Sequence, residues 1–260
     1  MRIRRIYALC LALITLAGLS GCATGQVTPT SPESMRVTTV PTATPAPSSN
    51  LVPFSIEAGD GAVLTAHFYP PETSPAPGVL LLHMWQRQKE DWAPFASQLQ
   101  QEGYAAMTLD LRGHGESEGT TEGTLDPQLW TDDILRAWTV MAEQPSVDAE
   151  RTAIIGASIG ANLALRTAAI EERVRAVGLL SPGLEYHGVT TLEAMAAYGE
   201  RPALIVVSQD DPTAAESAEE LAQEGQVLTI YPQGGHGTEL LTSQPDLVGL
   251  LLGWLDRQLR

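Results

Sequence analysis

Cysteine is almost missing from this 260-residue chain: only Cys10 and Cys22 are present, both near the N-terminus. The body of the chain therefore has no internal disulfide and no thiol nucleophile, and its stability must come from a packed core. Lysine is rarer still. Lys89 is the single example, and 15 basic side chains face 31 acidic ones for a net charge of -16. That balance argues against nucleic acid or anionic headgroups as the main partner and favours neutral or cationic ligands. His-Glu-x-x-His, paired-cysteine and Gly-x-x-x-x-Gly-Lys motifs are also absent, so no metal, cofactor or phosphate loop is expected. With 43% hydrophobic and 18% charged residues, what remains is a globular composition with ample material for a core.

The N-terminus reads differently. Arg2, Arg4 and Arg5 are followed from Ile6 to Leu19 by an apolar run of 14 residues, the pattern of a signal-peptide h-region. A membrane-spanning helix needs roughly 20 residues, so a permanent span is the weaker reading. The run ends in Leu19-Ser20-Gly21-Cys22, which resembles the lipobox of bacterial lipoproteins. The resemblance implies cleavage after residue 21 and acylation of Cys22, with ordinary secretion or an uncleaved anchor as alternatives. Residues 22 to 50, rich in Thr, Pro and Ser and without apolar periodicity, read as an extended linker to a domain spanning 51 to 260.

From Leu51 onward short apolar runs alternate with amphipathic ones. "VPFSIEAGDGAVLTAHFYP" reads as two strands joined at Gly59-Asp60-Gly61. "GVLLLHM", "AAMTLDL", "RTAIIGAS", "VRAVGLLS", "ALIVVSQ" and "QVLTIYP" are continuous apolar runs of strand length, as expected for strands covered on both faces. Helices are expected near residues 90 to 102, 127 to 144, 159 to 170, 213 to 224 and 240 to 258. The alternation predicts one doubly wound α/β domain with a mostly parallel sheet of about eight strands.

In such a sheet ligands bind beyond the carboxyl ends of the strands. Residues 154 to 160 read "IIGASIG". Gly-x-Ser-x-Gly occurs by chance about one time in ten in a chain of this length, so its setting has to decide. Ser158 falls between a strand and a helical segment, the setting of a nucleophile elbow. A serine hydroxyl needs a base, itself oriented by a third group. His236, in "YPQGGHGTEL" after the last strand, is the candidate base; His67, His83, His114 and His187 read as structural. Asp210 and Asp211 end the strand "ALIVVSQDDP". They cannot both point at one imidazole. Asp211 is favoured as orienting acid, the unused aspartate being expected to cap the helix that follows, and Glu185 is a third candidate.

These residues resemble the α/β-hydrolase family over residues 51 to 260. The resemblance implies a catalytic triad of Ser158, Asp211 and His236. "LDLRGHGES" (109 to 117) resembles the family's turn after the fourth strand, and "LLLHMWQRQKEDW" the loop that supplies half of the oxyanion hole. The backbone N–H of Ile159 is one implied donor. Trp85 is the second, with Met84, standing where a His-Gly pair would place glycine, as its alternative. "LSPGL" and "DDPTAAESAEELA" are similar to the dienelactone-hydrolase-like branch, whose name-giving enzymes carry cysteine where Ser158 stands. The stretch from 182 to 202 is too short for a large lid. The implied protein is a membrane-anchored, extracytoplasmic serine hydrolase cleaving a small-molecule ester without cofactor or metal. A prolyl-oligopeptidase-type peptidase and a noncatalytic ligand-binding lipoprotein are the rivals, and the oligomeric state is not legible.

Overall fold

The computed structural model describes residues 50–122, 125–222 and 226–260. The expected signal peptide, Cys22 and nearly all of the linker lie outside the described residues. No helix among the described residues is long and apolar enough to cross a membrane.

The chain runs through β1 (Val52–Glu57), β2 (Val63–Tyr69), β3 (Ala76–Leu82), α1 (Ala93–Gln101), β4 (Ala105–Leu109), α2 (Pro127–Ala142) and β5 (Val147–Ala157). There follow α3 (Ile159–Ile170), β6 (Val174–Leu180), β7 (Glu185–Tyr186), β8 (Val189–Thr190), α4 (Leu192–Tyr198) and β9 (Ala203–Ser208). The chain closes with α5 (Pro212–Leu221), β10 (Val227–Tyr231), α6 (Leu240–Ser243) and α7 (Leu247–Leu259). Eight strands form one sheet in the order β1-β2-β4-β3-β5-β6-β9-β10, and β7 pairs only with β8. Within the eight-stranded sheet β2 is antiparallel to both its neighbours and the remaining pairs are parallel, while β7 and β8 are antiparallel.

The continuous apolar runs are explained by the period of two along a strand. In β3, Leu80 and Leu82 enter the core on one face while Val79 and Leu81 enter the core on the other. β9 divides the same way, Ile205 and Val207 against Leu204 and Val206. The first core is covered by α2 and α3 through Trp130, Trp138 and Leu163, the second by α1 and α7 through Phe95, Leu99, Leu251 and Trp254. A sheet buried on both faces leaves only its edges and strand ends open to a ligand.

Two expectations need correction, and one connection holds elements the sequence did not announce. The segment from 240 to 258 is not one helix. Pro245 has no N–H to donate and its ring excludes the preceding turn, so α6 stops at Ser243 and α7 restarts at Leu247. Residues 89 to 92 form a 3-10 turn ahead of α1, which begins where Pro94 is tolerated in a first turn. The connection from 182 to 202 holds the β7–β8 hairpin and α4, whose few residues give too short a pattern to recognise.

The "LDLRGHGES" turn is held by ion pairs. Lys89, 1% exposed, donates through Nζ to Asp110 at 2.8 Å, Glu116 at 2.7 Å and Glu90 at 3.0 Å. Burial pulls the Lys89 pKa down, but these hydrogen bonds outweigh it and the net shift is upward. The Asp110 carboxylate also accepts the backbone N–H groups of Lys89 and Glu116. A Cβ on Gly115 would lie 2.2 Å from that carboxylate, which explains the glycine. Arg112 makes bidentate pairs with both Asp133 and Asp60. Asp133 is buried, and breaking a buried pair of this kind by removing one partner costs about 3–5 kcal/mol, so its pair with Arg112 is a structural anchor of this turn.

Candidate active site

Ser158 leaves β5 with φ 54 and ψ -122 and is 7% exposed. Such a backbone costs a serine roughly 1–3 kcal/mol and persists only when its surroundings enforce it. Here they do. The Ser158 N–H is held by the Leu180 carbonyl at 2.8 Å, and its own carbonyl receives Ala161 N–H at 2.9 Å as α3 begins. The flanking glycines are required for space. A Cβ at 156 would fall 2.1 Å from the Gly160 carbonyl oxygen, and one at 160 would fall 2.5 Å from the carbonyl oxygens of Leu82 and His83. The turn that presents the hydroxyl thus depends on both glycines of "GASIG".

His236 follows β10 in a loop where Gly234, Gly235 and Gly237 all have positive φ. Its Nδ1–H donates to Asp211 Oδ2 at 2.5 Å, leaving Nε2 as the free ring nitrogen. Its backbone N–H is held by Glu239, and Gly237 N–H by Ser181 Oγ at 2.9 Å. The loop lies directly over the elbow, since a Cβ on Gly237 would stand 3.4 Å from that of Ala157. Ser158, Asp211 and His236 thus gather at the carboxyl ends of β5, β9 and β10. No hydrogen bond joins Ser158 Oγ to the imidazole, a contact that such sites often tighten only when substrate is bound.

The division of labour between the aspartates differs from expectation. Asp211 both orients His236 and caps α5, accepting Ala214 N–H at 3.4 Å through its other oxygen. Asp210 caps nothing. Its carboxylate takes the N–H groups of Gly234 and Gly235, both at 3.2 Å, and so shapes the His236 loop. Hydrogen bonds from Ser208 and those glycines hold the Asp210 carboxyl below the ordinary range. Glu185 accepts Gly188 N–H within its own hairpin instead of meeting the histidine.

The loop expected to supply an oxyanion donor starts at the end of β3. His83 is fully buried; Leu111 N–H donates to its Nε2 at 3.0 Å, so the ring proton sits on Nδ1 and donates to the Met84 carbonyl at 2.7 Å. Arg87 N–H reaches the same carbonyl at 3.2 Å, closing a turn whose left-handed residue is Gln86 at φ 57. The C=O and N–H of a trans peptide point opposite ways. With the Met84 carbonyl pinned toward His83, the Trp85 N–H faces away from it. The left-handed conformation falls on Gln86 and not on Met84, so residue 84 has no need of glycine. Met84 instead packs against the His236 loop, its sulfur 2.7 Å from where a Gly237 Cβ would be. Ile159 opens α3, where the first N–H groups lack intrahelical acceptors.

Burial lowers the His83 pKa to about 4. The unfolded chain therefore binds the proton that the folded protein refuses. The stability contributed by neutral His83 is full above pH 6.5, diminishes as pH falls and is gone by about pH 4, a loss of about 3 kcal/mol. Burial shifts His114 in the same direction. Urea unfolding across this pH range should show that slope, and a His83→Asn variant should show less of it.

The hairpin unnoticed in the sequence forms the roof. Tyr186 meets the His236 ring edge-on at 6.1 Å. Burial, and then the charge of Asp211, pushes the Tyr186 hydroxyl up to about 12, so it stays neutral. His187, at φ 51, stacks on Trp85 at 3.9 Å and 21°. His187 and Gly188, at φ 51 and 84, form the two-residue turn of the hairpin, which calls for positive φ at both positions. An aromatic stack is worth about 0.5–1.5 kcal/mol, so the Trp85 contact holds the tip only weakly. The hairpin base is tied to α3 by Asn162, fully buried, which donates to the Val189 carbonyl and accepts Gly183 N–H. The only trace of Asn162 in the sequence is a lone amide inside "IGANLALRTAAI".

Among the described residues, His67, Glu90 and Glu116 bring possible metal-ligand atoms within 4.8 Å of one another. Both glutamates already contact the Lys89 ammonium, which disfavours a second cation there.

Comparison with known proteins agrees with this fold. Residues 73–201, just under half of the chain, match the family described as "Serine aminopeptidase, S33". A thiohydrolase, aneE, of Aspergillus aculeatus is 30% identical over 127 residues, covering 48% of this chain and 40% of that protein. The chain thus spans well under two thirds of that relative's length. A Pyrococcus furiosus esterase superposes with a TM-score of 0.71 at 17% identity, over 82% of this chain and 92% of that one. A dienelactone hydrolase from Anabaena variabilis superposes with a TM-score of 0.64 at 22% identity, over 81% and 98%. The chain has the α/β-hydrolase fold.

Proposed function

We propose that this chain, built on the α/β-hydrolase fold, is a serine hydrolase that cleaves carboxylic esters of small molecules through an acyl-enzyme. The Asp211–His236 pair, held over the Ser158 elbow, carries the reading. Ser158 Oγ attacks the acyl carbon as His236 Nε2 takes its proton. Asp211 holds the ring in that tautomer and stabilises the imidazolium. The carbonyl oxygen becomes an oxyanion facing the N–H groups of Ile159 and Trp85; losing one such donor typically costs about 100- to 1,000-fold in rate. The ester C–O bond breaks and His236 passes its proton to the leaving alkoxide. Water then attacks the acyl-serine with His236 again as base, the acid departs, and the proton returns to Ser158.

A second reading, a peptidase acting near a free amine, is favoured by the description of the matching family. It is also favoured by a cavity of about 300 Å³ beside Tyr186, lined by Glu185, Glu216 and Glu220 with no basic residue. Reaction with a fluorophosphonate probe, and turnover of p-nitrophenyl esters against aminoacyl p-nitroanilides, tests both. Labelling with ester turnover supports the first reading, preference for the anilides the second, and neither from a folded protein leaves the noncatalytic binding reading. We further propose that acylated Cys22 anchors the protein outside the cytoplasm. A Cys22→Ser variant should then move from the membrane fraction to the soluble one, and retention of the variant on the membrane would sink the anchor.

A further inference from the structure

We propose that the outward face of the Trp85 indole is a subsite for a planar aryl or unsaturated part of the substrate, occupied by His187 in the resting protein. The proposal rests on the ester-hydrolase reading above. The plate is built before any ligand arrives. Around it Trp130, 3% exposed, lies near-parallel at 6.0 Å and 22°, and His114, 6% exposed, meets the indole at 5.0 Å and 74°. The orientation of Trp85 is thus set by buried rings.

The ring that stacks closest on the indole is of another kind. His187 is exposed, its ring makes no hydrogen bond among the described residues, and it reaches the indole at 3.9 Å from the two-residue turn of the hairpin, where it and Gly188 have φ 51 and 84. Withdrawing the hairpin tip breaks the one stacking contact and no hydrogen bond of that ring, while Asn162 keeps the base in place. A flat ring that replaces the imidazole recovers the stacking it displaces; a saturated chain recovers less. The indole and the N–H assigned to the oxyanion belong to one residue. A group stacked there lies within a side chain's length of the reacting carbonyl.

The test compares the full chain with its His187→Gly variant on ethyl acetate, phenyl acetate and methyl benzoate. Glycine suits φ 51, so the variant's thermal midpoint should equal or exceed that of the parent. Its aryl-to-alkyl ratio of kcat/KM should rise about three- to tenfold, the equivalent of one stacking contact. A gain confined to phenyl acetate places the leaving group on the indole, and one confined to methyl benzoate the acyl group. An unchanged ratio in a stable variant overturns the subsite; should glycine destabilise the fold, His187→Asn repeats the comparison. Binding of 2-naphthol, followed by its fluorescence, should tighten in the variant by a similar factor and requires no turnover. A protein inactive on every ester would therefore sink the ester reading while naphthol binding still decides the subsite.

Discussion

Ser158→Ala is expected to lower ester turnover by about 10⁴- to 10⁶-fold and to abolish fluorophosphonate labelling while leaving the fold intact. The size follows from the proposed mechanism. Without Oγ no acyl-enzyme forms, and what remains is binding plus the oxyanion donors. The fold should survive because the elbow is held through its backbone, by Leu180 and by the first turn of α3, and alanine meets φ 54 with the same Cβ. The Oγ makes no hydrogen bond whose loss would weaken the core. A urea midpoint within about 0.5 kcal/mol of the parent is the control. Full activity in the variant would remove Ser158 from the mechanism and leave the pair of Asp211 and His236 without a nucleophile.

The second large effect separates two adjacent acids. Asp211→Asn should lower kcat about 10⁴-fold, because an amide cannot stabilise the imidazolium and can accept Nδ1–H only in competition with a donor of its own. Asparagine caps helices as well as aspartate does, so α5 should not be destabilised. Asp210→Asn should cost less than about tenfold. Its exposed carboxylate holds the N–H groups of Gly234 and Gly235, and the amide oxygen still accepts one of them. Kinetic measurement of both variants beside the parent decides the matter. A larger loss from Asp210→Asn would reverse the assignment and mean that the loop, not the Asp211–His236 hydrogen bond, limits the site.

The elements of this fold were legible where the chain announces them locally. Strands such as β3 and β9 are unbroken apolar runs because both sheet faces are covered, and Gly156-Ala157-Ser158-Ile159-Gly160 marks a strand-to-helix junction that needs a sharp turn. The hairpin of β7 and β8 was missed because two-residue strands carry no periodicity, and His187, read as structural, gains its place against Trp85 only in three dimensions. Met84 looked out of place beside His83 for the same reason. One cannot see along the chain that Gln86 takes the left-handed turn or that the thioether is used against Gly237.

The sequence by itself determined the doubly wound α/β architecture, the elbow at Ser158 and the shortlist of His236 with Asp210, Asp211 or Glu185, because hydrophobic period and glycine placement are local properties. Only the tertiary structure decided that Asp211 rather than Asp210 meets the imidazole, that the Trp85 N–H turns away from His83, and that Tyr186 and His187 roof the site. These depend on which loops converge at one edge of the sheet. Distances between residues far apart in the chain are set by packing and strand order, which no short stretch of sequence contains.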